Sequence, residues 1–60
     1  MDYQTDLSEI NAKIQLMKKT AQELNRAGED FPSIARNTSR ILASVKMLEL
    51  NISDFVELEQ

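Results

Sequence analysis

A single turn signal near the middle of the chain, with the same apolar rhythm on both sides, limits this sequence more than any other feature. The signal is Gly28-Glu29-Asp30-Phe31-Pro32, which holds the single Gly and the single Pro of the 60 residues. Ahead of it, Tyr3, Leu7, Ile10, Ile14, Met17, Ala21, Leu24 and Gly28 recur at spacings that alternate between 4 and 3. Behind it, Phe31, Ile34, Thr38, Ile41, Val45, Leu48, Ile52 and Phe55 alternate between 3 and 4. This 3.5-residue period marks a coiled-coil seam, and a strand's two-residue period fits neither run. Gly28 sits where a helix closes in a left-handed cap. Asp30 sits where the next helix is capped, with Pro32 in its first turn, where a missing N–H costs little. Thr5 or Asp6 is placed to cap the first helix.

The expected fold is all-α: one domain over residues 1–60, an antiparallel two-helix hairpin. Its helices are expected over about 5–27 and about 32–57, with a turn at 28–31. Folding about the turn sets Leu24 against Ile34, Ala21 against Thr38, Met17 against Ile41 and Ile14 against Val45. Farther out, Ile10 meets Leu48, Leu7 meets Ile52, and Tyr3 meets Phe55. The numbers in each layer sum to 58 or 59. The expected hairpin core is these layers without Tyr3, the helices crossing near 20°.

Such a short chain buries a small share of its surface and needs a supplement to its core. With no Cys there is no disulfide, and with no Cys or His the usual structural zinc and di-iron ligands are missing. Association is the remaining route. Helix two carries more apolar residues than one seam uses: Ala35, Leu42 and Val56 on one flank, Ala43, Met47 and Leu50 toward the other. These six are the expected oligomer or partner surface, set against the plainer reading of ordinary half-exposed side chains. A two-fold homodimer forming a four-helix bundle is the simplest closed solution, and a larger protein supplying the missing helices meets the same need.

Thr38 is the one polar residue of its seam and faces Ala21. Two readings stay open: a thin layer with the hydroxyl bonded one turn back, or a notch that sets register or receives a partner's side chain. Charge is uneven as well. The net charge of −3 lies wholly in residues 28–60. Lys18, Lys19, Arg26, Arg36 and Arg40 fall near the turn, whereas Asp2, Asp6, Asp54, Glu57 and Glu59 gather at the end with both termini. The five bases form a candidate anion or nucleic-acid patch. The acidic total and the lack of aromatic residues among them weigh against nucleic acid. Glu9 with Lys13 and Lys19 with Glu23 are spaced as i,i+4 pairs on a solvated face.

Nothing points to chemistry. No His or Cys serves as base or nucleophile, and one Gly cannot build a phosphate loop. No catalytic residue, cofactor, metal, membrane contact or small-molecule substrate is expected. The start is polar and acidic, without a leader or spanning run, so the expected location is the cytoplasm. There the tripeptides at Asn37 and Asn51 carry no glycan. The expected function is that of a small non-enzymatic interaction module, a self-associating hairpin acting as adaptor, accessory or regulatory subunit for a larger protein. The alternatives are an RNA-regulatory helical-bundle dimer and a co-chaperone or antidote that stabilises a partner.

Overall fold

The computed structural model describes the backbone of residues 3–59 and the side chains of residues 6–56. It is an all-α hairpin of two helices, α1 (Tyr3–Ala27) and α2 (Pro32–Glu59), packed side by side. At 1.5 Å per residue their 25 and 28 residues make rods of about 37 and 42 Å. The molecule measures 44 × 19 × 11 Å, two helices wide and one helix thick.

The turn departs from expectation. Gly28 does not adopt the left-handed conformation. Gly28 N donates to Leu24 O at 2.9 Å, Glu29 N to Arg26 O at 3.3 Å and Phe31 N to Gly28 O at 2.9 Å, so the chain reverses through tight right-handed turns. Gly28 is needed for its lack of a side chain. A Cβ there would collide with Ile34 Cγ2 and lie 3.1 Å from Ile34 Cβ and 3.2 Å from Leu24 O. The cap of α2 also moves by one residue. Phe31 O accepts the first helical bond, from Ala35 N at 2.9 Å, because Pro32 opens the helix and puts Phe31, not Asp30, at the cap position. At the other end, α1 begins at Tyr3, so Asp6 lies inside the first turn, where its charge suits the helix dipole, rather than capping it.

The larger departure is the rotation of the seam. Side chains buried in the hairpin are Ile14, Ala21, Thr38 and Val45, with Gly28 beside them. Half-buried positions are Asp6, Leu7, Lys18 and Asn25 on α1, and Ala35, Leu42, Glu49 and Ile52 on α2. On α2 the seam thus runs 35, 38, 42, 45, 49, 52, still alternating 3 and 4 but displaced from the apolar column at 34, 41, 48 and 55. Of the expected core, Leu7, Ile14, Ala21, Thr38, Val45 and Ile52 are covered. Ile10, Met17, Leu24, Ile34, Ile41, Leu48 and Phe55 remain 37–47% exposed and are not core within the hairpin. Two cylinders touch along a line, and each carries an apolar stripe about 100° wide. One contact covers the middle of that stripe and leaves one edge open.

Candidate interaction surface

The rotation gives the hairpin two unlike sides. On one, polar groups tie the helices together. Asn25 Nδ2 donates to Thr38 Oγ1 at 2.6 Å and to Ala35 O at 3.2 Å. Thr38 Oγ1 donates one turn back to Ile34 O at 2.8 Å, and Ser39 Oγ to Ala35 O at 2.9 Å. The buried hydroxyl is therefore satisfied both as donor and as acceptor, the condition for tolerating a polar group in a core. Farther along, Gln15 Nε2 and Lys18 Nζ both reach Glu49 Oε2, at 2.9 and 3.2 Å. The Gln15 amide, then Lys18, hold the Glu49 carboxyl below the usual glutamate range. Among the described residues Lys18–Glu49 is the only ion pair. Glu9–Lys13 and Lys19–Glu23 do not close, as befits long, solvated side chains with entropy to lose.

The sequence spacing pointed away from Asn25, Gln15 and Glu49 because all three are polar. A signal was present: Asn11, Lys18 and Asn25 repeat every seven residues beside Ile14, Ala21 and Gly28, and Ala35, Leu42 and Glu49 do so beside Thr38 and Val45.

The other side is an apolar groove. Ile10, Met17 and Leu24 on α1 face Ile34, Ile41, Leu48 and Phe55 on α2 across the covered seam. Two depressions mark it. One, toward the termini, is lined by Asp6, Leu7, Ile10, Asn51, Ile52 and Phe55; the other, near mid-length, by Leu16, Met17, Thr20, Ala21, Leu24 and Ile41. Each spans both helices. The next heptad columns outward are Asp6, Lys13, Thr20 and Ala27 on α1, and Asn37, Ser44 and Asn51 on α2. Only Asp6 and Lys13 there carry charge, and depletion of charge is what sets the middle of protein interfaces apart from ordinary surface.

The expected partner surface divides. Ala35 and Leu42 are half-buried in the hairpin seam, because the rotation turned their flank toward α1. Val56 continues their column and is 40% exposed near the end of α2. Ala43, Met47 and Leu50 are exposed on the outer side of α2, roughly 140–200° around the helix from Val45 at 100° per residue. The five bases are not drawn into one patch. Lys18 turns into the seam toward Glu49; Lys19 and Arg26 lie on the outer side of α1, and Arg36 and Arg40 on that of α2. Among the described residues no group of three or more acidic side chains could hold a metal, and no helix is long and apolar enough to cross a membrane. Compared with protein-family models, curated proteins and solved structures, the sequence matches none.

Proposed function

We propose that this chain is a non-enzymatic interaction module that acts by helix-on-helix packing: it associates first with itself, and then serves as accessory or adaptor to a larger protein. The observation that carries the reading is the groove. Seven large apolar side chains in two parallel columns stand 37–47% exposed, whereas among the described residues only four side chains, Ile14, Ala21, Thr38 and Val45, are buried. Single exposed apolar residues are ordinary, but a continuous apolar strip marks a contact surface. The outer side of α2, where Met47 is 58% and Leu50 44% exposed, offers a separate and smaller place for the larger protein. Nucleic-acid binding has no comparable support, since its five bases are dispersed and one is engaged by Glu49. Sedimentation equilibrium at micromolar concentration tests the proposal. A mass at or above twice 6.9 kDa is expected, and a folded monomer across that range overturns it.

A further inference from the structure

We infer that the occupant of the groove is a second copy of this chain, laid face to face with its turn at the opposite end, so that each turn-proximal half lies over the other copy's termini. The inference rests on the self-association proposed above and adds the face and the direction. The exposed area is of the size a second copy would cover. The hairpin exposes 4861 Å², whereas a compact monomer of its mass exposes about 4,000 Å². The excess of about 860 Å² matches the roughly 800 Å² that each partner buries in a standard interface. An identical groove also supplies equal length and apolar character, as a two-fold contact requires.

Charge selects the direction. Among the described residues the turn half of the hairpin, residues 16–43, carries net +2, and the half toward the termini, residues 6–15 and 44–56, carries net −2. Two flat hairpins stacked groove to groove have two simple two-fold arrangements. With turns at the same end, −2 lies against −2 and +2 against +2. With turns at opposite ends, each +2 lies against a −2. Of these charges only Asp6 and Lys13 flank the groove, and the bases near the turn lie on the outer and opposite sides, so the preference acts through the charge asymmetry of the whole hairpin and is strongest at low salt. Like charges set against each other disfavour the wrong pairing. In the opposed arrangement α1 runs antiparallel to its own copy, as does α2, and Met17 and Ile41 lie near the middle of the interface.

The test uses the absence of cysteine in the chain. Asp30, exposed in the turn, is replaced as Asp30→Cys in the full-length protein and spin-labelled. Dipolar spectroscopy on the label then reads the distance between the two turns. For opposed turns on a hairpin 44 Å long, the expected distance is about 40 Å. A distance below about 20 Å, from turns side by side, overturns the direction while leaving self-association standing. A sample that sediments as a monomer and shows no inter-label distance overturns both. Sedimentation of the unlabelled wild type at the same concentration shows whether the label itself disrupted assembly, and a dimeric wild type directs the same measurement to Glu29→Cys, where the same two distances decide.

Discussion

Gly28 is buried with ordinary backbone angles, so its value is room. Where the backbone angles are ordinary and the space is open, Gly→Ala raises stability by restricting the unfolded chain. Here the added methyl meets the branched side chain of Ile34. Gly28→Ala is therefore expected to destabilise the hairpin by about 1–3 kcal/mol, as overpacking does. Urea denaturation at fixed protein concentration measures it. Asn25 and Thr38 form the second residue-scale feature. Asn25→Ala removes the amide but leaves the Thr38 hydroxyl bonded to Ile34 O, so its expected cost is about 1 kcal/mol. A double-mutant cycle with Thr38→Val should return a coupling of about 0.5–1.5 kcal/mol if the 2.6 Å bond is energetically real. Additivity would show that it is not.

At the scale of the helices, the polar side of the seam joins α1 to α2 and carries a titratable group. Glu49, held below its ordinary pKa by Gln15 and Lys18, binds fewer protons folded than unfolded. Its contribution is present above the ordinary glutamate value and is lost as pH falls through the lowered one. Thermal melts of wild type and Glu49→Gln, taken across that acid window at equal concentration, should converge as pH drops, with the wild type the more stable only on the neutral side. Parallel melting curves would show that the carboxylate contributes nothing to the helix pairing. The seven-residue repeat made both helices, their antiparallel pairing and the turn readable from the residues alone. The rotation of each helix about its axis was not readable, because two adjacent heptad columns fit the same period. Apolar spacing favoured Ile34, Ile41 and Leu48. The bonds of Asn25 to Thr38 and of Gln15 and Lys18 to Glu49 accompany a seam built on Ala35, Leu42 and Glu49 instead.

At the scale of the whole molecule, the outer side of α2 and the groove make opposite demands on mutagenesis. Ile41→Lys puts a charge at the middle of the groove and should weaken self-association at least tenfold, about 1.4 kcal/mol. Met47→Lys, on the outer side of α2, should leave it within about a factor of two, since surface changes away from such contacts lie near ±0.5 kcal/mol. Sedimentation equilibrium on the two variants is the comparison, and a larger loss for Met47→Lys would move the interface to that side. The sequence alone determined that this chain is a helical hairpin with apolar residues beyond the needs of its own seam, because periodicity and turn chemistry are local and act on each helix separately. Which apolar columns are covered, and that the uncovered ones form one groove with few charges while Met47 and Leu50 stand apart on the outer side of α2, only the tertiary structure decided. That outcome depends on how two cylinders turn against each other, which reflects the small residues Ala21, Gly28 and Ala35 and polar partners far apart in the chain.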